Sequence, residues 1–268
     1  MKVILITGVS SGFGRAMALA LAAQGHRVYG VSRRIPEQAL LDVLAGHFQL
    51  DLCKPNSAQE AVDGVLTRAG RLDVLINNAG AGIGGALEET DNEAMERLFQ
   101  INYFAMTRLC RAALPAMRRQ GSGMILNFSS LGGIAGLPYQ GAYSASKFAV
   151  EGYTEALRSE VKPFGIHVCM VEPGDFATGF TGNRTMAASP DSPYQTFHAS
   201  ALRRIEQDEQ GGSPPEVLAK KVLKIVSASK PRLRYTVGNP AECLLVKSRH
   251  ILGDRLFLFL LGKYYGAN

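Results

Sequence analysis

Seven short runs of aliphatic and β-branched residues recur along the chain, separated by longer stretches with helical spacing. The runs are Lys2–Thr7, Arg27–Val31, His47–Asp51, Val74–Asn77, Met124–Phe128, Ile166–Val171 and Arg234–Val237. Amphipathic stretches cover residues 13–23, 93–119, 143–161 and 216–228. Strands that alternate with helices pair in parallel, and the helices cover both faces of the sheet. Nearly continuous apolar strands fit that burial, since neither face meets water. The pattern therefore predicts an α/β fold, a doubly wound parallel sheet. Gly25 stops the first helix, Pro36, Pro55 and Pro163 fall at element borders, and Ser213-Pro214-Pro215-Glu216 opens a helix with proline in its first turn. No repeat or low-complexity linker interrupts the pattern, so residues 1–268 are expected to form one domain. Only the segment at about 175–213 lacks periodicity, and a loop of that length reads as a lid or binding loop.

Composition narrows the class further. Apolar residues make up 46% and charged residues 19%, enough apolar content to exclude a disordered chain. The longest apolar run, Ala16–Ala23, is well short of the roughly 20 residues that span a bilayer. Val3–Ile6 is too short a run for a signal peptide, which predicts a cytoplasmic protein. Cys53, Cys110, Cys169 and Cys243 stand far apart and read as free thiols. With the histidines scattered as well, no metal site is expected. Net charge is +6, and it is uneven. Residues 1–200 hold 17 basic and 17 acidic side chains, so the whole excess lies in 201–268.

The first strand runs into Thr7-Gly8-Val9-Ser10-Ser11-Gly12-Phe13-Gly14, and a helix follows. Gly8 suits a tight turn, Gly12 lets backbone approach a pyrophosphate, and Gly14 lets the helix pack close to the strand. The free N–H groups and dipole of the helix start favour an anion there. The spacing is G-x-x-x-G-x-G rather than G-x-G-x-x-G, and a plain strand–helix turn is the alternative reading. At the end of the second strand, where an acidic residue would hold an adenosine 2′-hydroxyl, stand Ser32, Arg33 and Arg34. Arginine forks suit a 2′-phosphate, so NADP(H) is expected over NAD(H), with plain surface charges as the alternative.

After the fifth strand come Ser129-Ser130 and then Tyr143-Ser144-Ala145-Ser146-Lys147. Tyr143 and Lys147 are four apart and share one helix face. Asn102 lies on an earlier helix, where an asparagine bonding a backbone carbonyl is the bland reading.

With these motifs in order, the chain resembles the short-chain dehydrogenase/reductases of the single-domain type. The matching residues are Thr7-Gly8-x-x-x-Gly12-x-Gly14, Asn77-Asn78-Ala79-Gly80, Asn102, Ser130, Tyr143-x-x-x-Lys147 and Pro173-Gly174, covering residues 2 to about 180. Tyr29 to Arg34 and Gly141 to Phe148 make it most similar to the 17-beta-hydroxysteroid and retinol dehydrogenase-like branch. The resemblance implies a Rossmann-type sheet of order 3-2-1-4-5-6-7. It also implies a nicotinamide cofactor and interconversion of a ketone or aldehyde with its alcohol. Tyr143 is the implied general acid and base, its phenol lowered from about 10 by the Lys147 ammonium together with the positive nicotinamide ring of the oxidised cofactor. Ser130 would hold the carbonyl oxygen, Lys147 the nicotinamide ribose, and Asn102 a proton-relaying water. Cofactor contacts carry over to Gly8, Ser10, Ser11, Gly12, Phe13 and Gly14, to Ser32, Arg33 and Arg34, and to Asp51 and Leu52 beside the adenine. They carry over also to Asn78, Ala79 and Gly80, with Asn78 steadying the sheet, and to Pro173, Gly174 and Thr178; Asp51 as a turn cap is the alternative.

Candidate substrate walls are Ile134, Leu137, Tyr139, Phe176, Phe180 and residues 81–86, apolar and without an arginine or lysine clamp, with Asp175 the one charged neighbour. They predict a lipophilic substrate. The basic extension at about 240–268 holds Lys247, Arg249, Arg255 and Lys263 around Leu256 to Leu261. It reads as a helix on the enzyme body or a second subunit in preference to a membrane contact, and nucleic acid is not expected. A homodimer or homotetramer through 93–119 and 143–161 is implied by the family. The competing reading is a catalytically weak NADP(H)-binding sensor, against which the intact Ser130, Tyr143 and Lys147 set argues.

Overall fold

The computed structural model describes residues 1–178, 184–187 and 191–266, apart from the side chain of His250. Seven strands form the central sheet: β1 (Val3–Thr7), β2 (Arg27–Ser32), β3 (Gly46–Gln49), β4 (Val74–Asn77), β6 (Gly123–Phe128), β7 (Ile166–Pro173) and β9 (Arg234–Val237). Their order is β3-β2-β1-β4-β6-β7-β9, every pair parallel, which is the expected doubly wound order. Two short strands that the sequence pattern does not announce, β5 (Ile83–Gly85) and β8 (Thr185–Ala187), pair with each other outside the main sheet.

The period-two alternation of each strand divides the core. Val3, Leu5, Val31, Leu75, Ile125 and Val168 face the helices α3 (Ser57–Ala69), α5 (Ala105–Gln120) and α6 (Gly141–Val161). Ile4, Ile6, Val28, Ile76, Leu126 and Val171 face α1 (Gly12–Ala23), α2 (Gln38–Leu41) and α8 (Pro215–Ser227). Side chains such as Leu5 and Ile6 have no exposed surface. Each contributes roughly 1.5–3 kcal/mol by leaving water.

The stretch at 93–119 is not one continuous helix. It divides into α4 (Asn92–Phe99), a π-helical turn (Gln100–Phe104) and α5. The segment at 175–213 is not all loop, since α7 (Gln195–Gln210) occupies its second half. Only His198, Ala201 and Ile205 of that helix are buried, which explains its faint periodicity. The C-terminal extension is α9 (Pro240–Tyr264), broken at Gly253, whose φ of 71° and ψ of 156° are not helical. The four thiols are free.

Candidate active site

The C-terminal ends of the strands border one cleft of about 920 Å³. At its centre β1 turns into α1. Gly8 has φ +74° and Gly12 φ +53°, left-handed values that side chains disfavour. A Cβ on Gly14 would stand 2.1 Å from the Gly8 carbonyl oxygen, so only glycine lets α1 approach β1 this closely. Ser10, Ser11, Gly12 and Phe13 line the cleft, with Gly14 behind them. Ser11 caps α1 without a side-chain bond, and the first turn holds no acidic residue. The floor is tied down from the next strand. Thr7 Oγ1 accepts from the backbone N–H groups of Asn78 (3.0 Å) and Ala79 (2.9 Å), and Asn78 Nδ2 donates to the Thr7 carbonyl (2.8 Å). Asn78 thus steadies the sheet as the sequence implied. This narrow cradle of backbone amides, which a Cβ would fill, fits the pyrophosphate of a dinucleotide.

At one end of the cleft lie Ser32, Arg33 and Arg34. The Ser32 hydroxyl donates to the Arg34 carbonyl (2.7 Å) and lies 2.8 Å from His47 Nε2, which fixes the turn that presents the two arginines. Both side chains are exposed, and neither has an ion pair among the described residues. Leu50 and Leu52 line the same end. Asp51 lies past the end of β3, and its Oδ1 accepts from the Cys53 N–H (3.0 Å), as a turn cap.

The middle of the cleft brings Ser130, Tyr143 and Lys147 together. β6 delivers Ser130 to a short turn, where its Oγ accepts from the Gly132 N–H (3.1 Å), and Ser130 also hydrogen-bonds the Tyr143 phenol. Lys147 Nζ donates to the Phe128 carbonyl (2.9 Å) and lies 5.7 Å from the Tyr143 ring centroid. Burial dominates both groups. It pushes the Tyr143 phenol up to about 12, partly opposed by the Ser130 bond, and brings the Lys147 ammonium down to about 8. The expected lowering needs the positive nicotinamide ring of the oxidised cofactor as well as Lys147; in the protein alone the loss of water outweighs the Ser130 bond and the charge of Arg184. Gly80, Pro173, Gly174 and Thr178 line the same stretch, Thr178 opposite Gly12 at 3.8 Å from a Cβ built there.

Asn102 sits behind Gly80 on the π-helical turn, buried. Its Oδ1 accepts from the Ala81 N–H (2.8 Å), and its Nδ2 donates to the Ala81 carbonyl (3.0 Å) and to Ser146 Oγ (2.9 Å). Ser146 Oγ in turn donates to the Tyr143 carbonyl (2.7 Å). The amide therefore joins the Ala81 strand entry, the π turn and the first turns of α6, which aim Tyr143 and Lys147.

Beyond Tyr143 the expected apolar walls are met only in part. Leu137 and Phe176 line the cleft, and Phe176 stacks edge-on against Phe13. Ile134 packs against the cluster of Leu131, Phe257 and Leu261, of which Leu131 and Leu261 line the cleft. The Tyr139 ring faces His198, and its backbone adopts φ +58°. Phe180 lies outside the described residues. The absence of a cationic side chain does not hold: Arg184, almost wholly buried, pairs with Glu209 at 2.5 Å on the cleft wall. Asp175 is also not the one charged neighbour, because Asp208, Glu209 and Glu242 join it. The Asp175 N–H donates to Glu242 Oε2 (3.2 Å), and burial among like charges pushes the Asp175 carboxyl up to about 7. Asp208 accepts from the Tyr264 hydroxyl (2.7 Å) and Arg204 Nε (3.0 Å). Arg184 just before β8, Asp208 and Glu209 on α7 and Glu242 on α9 belong to segments with no recognisable motif; only the fold brings them to the cleft.

A family model described as short chain dehydrogenase matches residues 2–188. The 3-ketodihydrosphingosine reductase of Bacteroides thetaiotaomicron is 44% identical over 266 residues, 98% of each chain. Retinol dehydrogenase 8 of Bos taurus is 32% identical over 284 residues, covering 94% of this chain and 90% of that protein. Among solved structures, a short-chain dehydrogenase from Streptomyces avermitilis superposes with a TM-score of 0.84 at 35% identity, covering 98% of this chain and 96% of that one.

Proposed function

The chain belongs to the short-chain dehydrogenase family and is an oxidoreductase, and on that premise we propose that it reduces a lipophilic, cationic ketone with NADPH. The observation that carries this reading is the buried Tyr143 phenol, bonded to Ser130 in a cleft that also holds the glycine turn and the carboxyls Asp175, Asp208, Glu209 and Glu242. The cofactor, when bound, supplies the hydride. A phenol held near 12 keeps its proton at neutral pH and can donate it to the carbonyl oxygen. Ser130 holds that oxygen in place. Lys147, anchored on the Phe128 carbonyl, presents its remaining N–H groups to the ribose side of the cleft, and Asn102 positions α6 through Ala81 and Ser146.

Arg33 and Arg34, exposed beside Ser32, support a 2′-phosphate and hence NADPH. Two features support the substrate class. Leu137, Phe176, Val246 and Leu261 offer an apolar lane, and Asp175, which acts on Tyr143, and Glu242 offer carboxylates on the same cleft wall beyond the Arg184–Glu209 pair. A long-chain amino ketone, as in the name of the Bacteroides relative, satisfies both. A homo-oligomer through α4, α5 and α6 is part of the proposal, supported by the exposed Phe148 on α6 and Phe104 at the end of the π-helical turn before α5.

The test follows NADPH and NADH oxidation at 340 nm with a long-chain amino ketone, its N-acetylated form and a neutral ketone of equal length. Turnover with NADPH and the free amine, with kcat/KM at least tenfold below it for the acetylated form, is expected. Equal turnover of charged and neutral forms removes the cationic assignment, and no turnover of any ketone removes the reductase.

A further inference from the structure

We propose that the outer face of α9 docks the protein on an anionic lipid surface. Exposed large apolar side chains concentrate on this helix: Leu244, Ile251, Leu252, Leu256 and Leu258 are exposed, Ile251 with 86% of its surface. Helical geometry explains the division. In the first half Val246 points inward, which turns Leu244, Lys247 and Ile251 outward. In the second half Phe257 and Leu261 point inward against Leu131 and Ala135, which turns Arg255, Leu258 and Phe259 outward, with Leu256 and Lys263 beside them. The inward half of the sequence expectation is thus met, but the outward half is not simply charged. Apolar side chains and the exposed cations Lys247, Arg255 and Lys263 share it.

That mixture selects the occupant. Cations flanking an apolar strip complement anionic headgroups over acyl chains. A second copy is a poor complement, because a two-fold interface sets the patch against itself and brings three exposed cations against three. The charge match extends beyond α9 into the segment that precedes it, since the net +6 lies entirely in residues 201–268. The surface is one to lie on rather than to cross. Gly253 breaks the helix, and no helix of the described residues is long and apolar enough to span a membrane. The opposite side of α9 supplies Leu245, Val246, Leu261, Tyr264 and Tyr265 to the cleft. One helix therefore has its outer side on the lipid and its inner side on the substrate lane. A lipophilic substrate would move from the membrane to Tyr143 along it. The docking stands apart from the reductase reading; only the delivery of substrate rests on it.

The experiment is flotation of the purified full chain with vesicles of phosphatidylcholine alone and of phosphatidylcholine mixed with phosphatidylglycerol. Two variants accompany it: Ile251→Ser with Leu258→Ser, and Lys247→Gln with Arg255→Gln and Lys263→Gln. Light scattering follows the oligomeric state, and reduction of a short water-soluble ketone follows the active site. The expected result is flotation with the mixed vesicles, weakened by salt and by omission of phosphatidylglycerol. Both variants should stay in solution with unchanged turnover of the soluble ketone, each cation removed lowering affinity about fivefold. Vesicle binding by a protein that reduces no ketone still upholds the docking and removes only the reductase. Failure to float with mixed vesicles, flotation that survives both variants, or a dimer dispersed by Ile251→Ser with Leu258→Ser and indifferent to lipid overturns it.

Discussion

At the scale of single residues, the Tyr143 phenol is set by burial more than by charge. It is protonated throughout the physiological range, so the protein is prepared to give a proton rather than take one. Tyr143→Phe keeps the ring and removes the hydroxyl, and with it the proton and the bond to Ser130. Ketone reduction should fall by roughly 10²–10⁴-fold, while NADPH affinity, read by fluorescence titration, stays close to wild type. A variant that turns over as fast as wild type would take Tyr143 out of the chemistry. A second residue-scale prediction concerns Arg33 and Arg34. Each guanidinium can make charge-assisted bonds to a 2′-phosphate, and nothing in NADH replaces that partner. Arg33→Ala with Arg34→Ala should raise the KM for NADPH about 10- to 100-fold and leave that for NADH within about twofold. Equal losses for both cofactors would mean that the arginines do not read the phosphate.

At the scale of elements, the approach of α1 to β1 depends on Gly14. In Gly14→Ala the new methyl meets the Gly8 carbonyl oxygen, a backbone atom that cannot swing aside. The helix must retreat, and the cradle of amides opens with it. NADPH affinity should fall at least tenfold, measured by titration, with the sheet intact by circular dichroism. Wild-type affinity would show that another contact sets the spacing. This cradle was legible in the sequence because glycine is demanded locally, by a turn and a close approach. The seven central strands were legible for a related reason: burial on both faces leaves little but aliphatic residues. The π turn at Gln100–Phe104 was not, since it depends on Asn102 bonding Ala81, a partner 21 residues away. The same holds for Arg184, Glu209 and Glu242. They reach the cleft just before β8, on α7 and on α9, whose positions follow from packing rather than from any local pattern. The helix α7 also eluded periodicity, because only one of its faces touches the body and that face is sparse.

At the scale of the whole molecule, carboxyls are buried both in the cleft and around Arg234, and this sets how stability responds to pH. Asp175 and Glu151 are each pushed up to about 7 by burial, and Glu172, Glu209 and Glu242 are raised in the same direction. An unfolded carboxyl releases its proton near 4. Between the two values the folded state holds protons that the unfolded state has lost, so folding is favoured most at the acid side of this window. That advantage is fully present below about 4 and disappears as pH rises through 7. His26, His47 and His167 act in the opposite sense. Burial lowers each of them, so their contribution is present above about 6.5 and is lost as the solution becomes more acidic. The two trends meet near pH 6. The cofactor-free protein should therefore unfold at its highest temperature near that pH and at a temperature lower by a few degrees at pH 8, read by scanning calorimetry. Asp175→Asn removes one of the two carboxyls that titrate near 7 and relieves Glu242, Glu209 and Asp208 of a like charge. It should raise the unfolding temperature at pH 8, leave it nearly unchanged at pH 6 and so flatten the alkaline slope. A slope as steep as wild type would mean that Asp175 is ionised at neutral pH in the folded chain. The same carboxylate is placed to attract a substrate ammonium, so alkaline loss of stability and alkaline gain in affinity for a cationic ketone should appear over one pH interval and vanish together in Asp175→Asn.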